Sequence, residues 1–185
     1  MIAWVTFSIS TIEKVTQAIM DAVEEAEKVA DVVIERVYVG IAGSHINSLN
    51  SQGIVAIKGT SHEITADDVD RAVENAKTAI SIPHHQEIIH ILPREFVVDE
   101  QKEISNPIGM VGSRLEAQVH IVTGAVTAMQ NIIKCCQTAK LKVEDVVLQP
   151  YASSMSVLTE DEKKLGVVLI DIGGGTTDLI IFQNG

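Results

Sequence analysis

From Ile12 the apolar residues Ile12, Val15, Ile19, Val23, Ala26 and Val29 recur every three or four positions, the spacing that lines one face of an α-helix. Ser10 with Glu13 three positions later forms a capping-box pattern, so a helix is expected to about Ala30. Glu24, Glu25 and Glu27 fall on its solvated side. Arg36–Ile41 (RVYVGI) is a short β-favouring run closed by Ala42 and Gly43, which predicts a buried strand. A helix followed by such a strand points to α/β layering.

After Ser44 the texture changes. A polar stretch (SHINSLNSQG) leads to a short strand expected at Ile54–Ile57. Thr65 and Asp68 then cap a second helix carrying Val69, Ala72, Val73, Ala76 and Ile80 on one face, ended by Pro83. Glu87–Leu92 and Glu95–Val98 read as two strand segments, with Pro93 between them a bend or an edge position. Gln101–Gly112 reads as a loop by its Asn-Pro and glycines. Arg114–Ile121 alternates strictly, with Leu115, Ala117, Val119 and Ile121 on one side and Glu116, Gln118 and His120 on the other, as in a half-exposed strand.

From Gly124 the helical period returns through Val126, Met129, Ile133 and Cys136. A strand at Val143–Leu148 and a short helix near Ala152–Leu158 follow. Thr159–Lys164 reads as a charged connector to a strand at Gly166–Ile172, which turns through Gly173, Gly174 and Gly175 into Thr176–Phe182. The closing Asn184-Gly185 is a dipeptide that normally introduces another strand, so the chain reads as ending early. Ile46–Val122 reads as a compact insertion between two α/β portions.

Composition narrows the function classes. Of 185 residues 46% are hydrophobic, ample for a core. With 14 basic and 25 acidic residues the formal net charge is −11, which argues against a nucleic-acid surface and against broad docking on anionic lipid. The apolar runs are strand-length, well short of the roughly 20 residues a spanning helix needs. Met1–Ser10 lacks the pattern of a signal peptide, and a cytoplasmic location is expected. The two cysteines, Cys135 and Cys136, are neighbours and read as reduced, buried thiols rather than a bridge. His84 and His85 have no carboxylate or cysteine at ligand spacing and read as a solvated loop. The remaining histidines are dispersed.

The run that carries chemistry is Asp171–Asp178, DIGGGTTD. Three glycines between two β-favouring runs can adopt positive φ and present bare backbone N–H groups to a polyphosphate. Gly173, Gly174 and Gly175 are therefore the expected phosphate-binding residues, with hydroxyl donors from Thr176 and Thr177. Asp171, ending the first strand, is the expected metal residue, holding magnesium through water because that ion keeps much of its hydration shell. The pattern lacks the Gly-Lys-Ser/Thr ending of a Walker loop, and its glycines precede a strand, unlike a dinucleotide fingerprint.

DIGGGTTD resembles the second phosphate motif of the actin, heat-shock chaperone and sugar-kinase superfamily. VYVGIAGSHINSLNSQGIVAI, EITADDVDRAV, ILPREFVVD, NPIGMVGSRLEAQVHIVTG and ASSMSVLTEDEKKLGVVLIDIGGGTTD, in that order, resemble the FtsA family of bacterial cell-division proteins, from about Ile12 to the last residue. The resemblance implies an α/β fold: a partial actin-like, ribonuclease H-like core with an inserted SHS2-like α+β subdomain. Residues 1–45 and 123–165 would belong to subdomain 1A, 46–122 to the inserted subdomain 1C, and 166–185 to the start of subdomain 2A.

The same resemblance implies ATP and Mg2+ as cofactors, with any turnover slow. Gln149, just before Pro150, matches the region from which superfamily members position the attacking water, and Asp178 lies where a second water-orienting group sits, so these two are the expected catalytic residues. Implied partners are FtsZ, later division proteins that contact the insertion, and further copies of the chain in filaments. Membrane contact, at the inner face of the cell membrane at the division site, would come through a C-terminal helix that this sequence does not contain. The first phosphate hairpin and the adenosine motif are also missing, so an internal fragment of a longer protein is expected. A sugar-kinase or heat-shock-type phosphotransferase fits less well, because a kinase carries its substrate segment where this chain has the insertion. An interaction fragment that binds no nucleotide is a third reading.

Overall fold

The computed structural model describes residues 11–173 and 177–183. The chain divides into two compact units. One holds the described residues up to Ile46 and those from Gly124 onward; the other is Asn47–Thr123.

In the first unit, α1 (Ile12–Ala30) and β1 (Arg36–Ile41) take the places the apolar spacing predicts. The helix starts one position later than a Ser10–Glu13 box requires. Thr11 is the N-cap and makes no side-chain cap bond, and Lys14, three positions on, carries no acceptor for the reciprocal half of a capping box; Ser10 lies outside the described residues. Asp31 closes α1 in the left-handed region, φ 53°, donating its N–H to the Glu27 carbonyl at 2.8 Å.

The second unit contains β2 (Ile46–Ala56), α2 (Ala66–Thr78), β3 (Gln86–Val98), β4 (Gln101–Ile104) and most of β5 (Arg114–Ala125), in a sheet ordered β2-β5-β3-β4. Leu115, Ala117, Val119 and Ile121 are fully buried and pack with Ala72 and Ala76 of α2, Val55, Ile57, Ile64 and Phe96. The strict alternation of β5 thus has its cause: one face meets α2 and the other carries Glu116, Gln118 and His120. The Thr65–Asp68 capping box forms in full.

Three expectations change here. The polar stretch before Ile54 is not a lead-in but most of the 11-residue strand β2. It is tied to α2 from both sides, with Ser51 Oγ of the strand donating to the Ala76 carbonyl at 2.7 Å and Asn75 Nδ2 of the helix donating to the Ile54 carbonyl at 2.9 Å. The two segments around Pro93 are one strand, β3. Its partner β4 pairs back only as far as Phe96, so Pro93 lies beyond β4's reach, where a missing N–H is tolerated. Gln101–Ile104, expected as loop, is that partner strand, joined to β3 through Asp99 at φ 53°.

The chain re-enters the first unit with α3 (Val126–Thr138), β6 (Lys142–Leu148), α4 (Gln149–Val157), α5 (Glu160–Leu165), β7 (Val167–Ile172) and β8 (Thr177–Phe182). β6 pairs parallel with β1, and α3 packs on α1 and on both strands. Val15, Ile19, Val39, Ile41, Met129, Ile132, Cys135, Cys136 and Val146 are buried in this unit. Both cysteines are free and buried. Burial, then the neighbouring Cys135, raises the Cys136 thiol pKa above its ordinary value, so the thiol stays neutral. Thr159–Lys164 is not a bare connector: Thr159 and Glu162 form a second complete capping box and start α5.

Candidate functional site

The β7–β8 hairpin brackets the glycine turn. The strands pair antiparallel in continuous register, Ile172 opposite Thr177 and Asp171 opposite Asp178. Side chains alternate across such a ladder. Asp171 therefore shares the half-buried side with Val167 and Leu169, and Asp178 shares it with Ile180 and Phe182. Val168, Ile170, Ile172, Leu179 and Ile181 occupy the other side, each more than half exposed.

Two helices hold the inner side. α5 carries the buried Lys163, which donates to Glu160 Oε1 at 2.8 Å and stands 5.6 Å over the Phe182 ring. α4 packs on β6, β7 and β8. It begins immediately after β6, with Gln149 its first residue and Pro150 second; a proline is harmless there because its absent N–H would have no intrahelical partner.

This abrupt strand-to-helix step places Gln149 and Ser153, four residues apart, on one face of α4. Both reach Asp171. Ser153 Oγ donates to Asp171 Oδ2 at 3.2 Å, and Gln149 Nε2 reaches the same oxygen at 3.5 Å. The serine contact is the shorter of the two.

Of the expected site residues, the structure brings Gln149 and Asp171 together, sets Asp178 opposite Asp171, and places Gly173 directly after β7 and Thr177 at the start of β8. Gly174, Gly175 and Thr176 lie outside the described residues. Ser153 was not among the expected residues. Its signal was present in the sequence as a hydroxyl one helical turn after Gln149, inside a run (ASSMS) without strong apolar periodicity.

The donor set bears on magnesium. Among the described residues no group of three or more His, Cys, Asp and Glu side chains could hold a metal ion, so there is no dedicated cage. One or two carboxylates beside a phosphate-binding turn suit Mg2+, which retains several waters and shares its coordination with substrate phosphates. Asp171, with Asp178 opposite it in the ladder, is the residue that would hold such an ion. Among the described residues no helix is long and apolar enough to cross a membrane.

Comparison with known proteins places this geometry. Residues 43–123 match the family described as the SHS2 domain inserted in FTSA. The chain is 51% identical over 177 residues to the cell division protein FtsA of Neisseria meningitidis, covering 96% of this chain and 42% of that protein. It is 50% identical to FtsA of Pseudomonas aeruginosa over 94% of this chain and 41% of that protein. FtsA of Escherichia coli K12 is 37% identical over 96% of this chain and 41% of its own length. The chain thus spans about two fifths of the curated relatives it matches. A solved chain of a PilM-PilN type IV pilus biogenesis complex shares the fold at a TM-score of 0.58 and 16% identity, covering 91% of this chain and 44% of that one. The α/β fold is therefore a partial actin-like core with an inserted SHS2 domain, and over nearly its whole length the chain is similar to FtsA cell-division proteins.

Proposed function

We propose that this chain is part of an actin-like, ATP-binding scaffold of bacterial cell division. In this reading Gly173, Gly174, Gly175, Thr176 and Thr177 approach the phosphates of ATP. Asp171 holds Mg2+ through water, and Gln149 and Asp178 orient the water that attacks the terminal phosphate. Magnesium, when bound, would neutralise charge on the phosphates. The protein's own part is positional, since phosphoryl transfer asks for placement of charges and a nucleophile rather than covalent chemistry.

At the level of the whole machine, the scaffold polymerises, links FtsZ filaments to the inner face of the membrane at the division site, and recruits later division proteins. The inserted SHS2 unit serves self-association and partner contacts. A division role is supported by the name and identity of the FtsA relatives, and the inserted unit closes its own hydrophobic core around α2.

The observation that carries the nucleotide reading is the convergence on Asp171. A carboxylate at the mouth of the glycine turn is held by α4 and faces a second carboxylate across the ladder. Calorimetry with magnesium-ATP, on this chain and on a version extended to include both flanking halves, tests it. Saturable binding to the extended protein is expected, weakened strongly by Gly174→Val, which would put a side chain where the phosphates approach. An extended protein that binds no nucleotide, or binds equally well after the substitution, overturns the reading.

A further inference from the structure

We propose that Ser153 is a positioning residue for Asp171, an assignment that rests on the nucleotide reading above. Three observations carry it. Ser153 sits four residues after Gln149, so the two side chains leave α4 on the same face and in the same direction. Both contact a single oxygen, Oδ2 of Asp171. The helix that carries them is itself fixed: Pro150 and Ser154 are buried, and Ser154 Oγ donates to the Tyr151 carbonyl at 2.6 Å.

An aspartate at the end of a strand can rotate about χ1 and χ2, and a carboxylate that must meet a hydrated cation gains from losing that freedom beforehand. Donation to Oδ2 from α4 favours one rotamer, so that oxygen anchors the side chain and leaves Oδ1 as the one to be presented. This is the arrangement by which residues outside the coordination sphere orient a metal-binding carboxylate, and their loss typically weakens metal affinity by roughly ten- to a hundredfold. Ser153 never touches the cation in this scheme; it acts through Asp171. Gln149 serves the same carboxylate at longer range, which makes the helix face, rather than one side chain, the positioning element.

The test separates this assignment from the reading it rests on. In the extended protein, ATP affinity is measured by calorimetry in EDTA and again across a magnesium titration, for the unsubstituted protein, Asp171→Asn, Ser153→Ala and Ser153→Thr. The Asp171 side-chain carboxyl 13C resonance is followed in parallel without nucleotide. The expected result for Ser153→Ala is a roughly tenfold higher magnesium concentration at half-saturation, unchanged metal-free ATP affinity, and a displaced Asp171 resonance. Ser153→Thr, which keeps the hydroxyl, should restore both. A magnesium response that disappears in Asp171→Asn but is intact in Ser153→Ala overturns the positioning role alone. So does an Asp171 resonance indifferent to Ser153→Ala. Absence of any magnesium response in the unsubstituted protein overturns the nucleotide reading and the assignment together.

Discussion

Asp171 and Asp178 stand directly opposite each other in the β7–β8 ladder, both on its half-buried side. Like charges at directly opposed positions of an antiparallel pair repel, at a cost of roughly 0.2–1 kcal/mol. Asp178→Asn should therefore raise the thermal midpoint of the nucleotide-free protein by a few degrees and, under the nucleotide reading, leave in place the further rise expected with magnesium-ATP, since Asp171 is the residue assigned to the cation. Melts with and without magnesium-ATP check both halves, and a lower midpoint in the nucleotide-free variant contradicts the repulsion.

Gly53 is the tightest backbone approach in the inserted unit. A Cβ built there would lie 2.0 Å from the Ala72 carbonyl oxygen and 2.2 Å from the Ala76 amide nitrogen. Those atoms belong to the α2 backbone and cannot move aside singly, so Gly53→Ala should separate β2 from α2 and cost about 3 kcal/mol. Gly59→Ala is the matched control. It meets open space but strains φ at +102°, and should cost about 1 kcal/mol. Urea midpoints measure the difference.

The Thr65–Asp68 box gives a pH signature. Donation from the Thr65 hydroxyl and backbone N–H, with the Arg71 ion pair, holds the Asp68 carboxyl below its ordinary pKa of 3.8. A carboxyl whose folded pKa is depressed contributes stability that is complete above the unfolded value and lost as pH falls through the folded one. Stability of the unsubstituted chain should thus fall more steeply below pH 3.8 than that of Asp68→Asn. Thr65→Ala should cost about 1 kcal/mol at neutral pH. Parallel acid titrations of the unsubstituted chain and Asp68→Asn, followed by circular dichroism, measure the difference, and coincident curves disprove the linkage.

The outward side of the hairpin makes a different demand. Ile170 is 56% exposed and Ile181 64% exposed, beside Val168, Ile172 and Leu179. A contiguous apolar strand surface of this kind promotes association. Replacing Ile170 and Ile181 with lysine should raise the concentration at which this chain stays monomeric severalfold, with a thermal midpoint within about 2 °C of the original, since little buried contact is lost. Light scattering and melting curves read the two effects, and a large drop in midpoint would mean that this side is packed after all.

Much of the fold was legible because local physics specified it. β5 reads as a strand from period-two alternation, and each of its four apolar positions is fully buried; α1, β1, α2, α3 and β6 follow from their own periodicities and caps. The order of motifs was enough to point to the FtsA family. Other features answered to tertiary contacts. The polar half of β2 is a strand because Ser51, Gly53 and Ile54 meet α2, a neighbour distant in sequence. Pro93 sits inside a strand because β4 ends short of it. The α5 box was visible as Thr159 and Glu162, yet six residues are too few for periodicity to announce a helix.

The site divides the same way. The residue types of Asp171–Asp178 raise the expectation of phosphate chemistry by themselves, because glycines between β-favouring runs can present bare backbone N–H groups. That Asp171 is held by Ser153 depends on α4 crossing β7 at one particular turn, a packing outcome that no local pattern encodes.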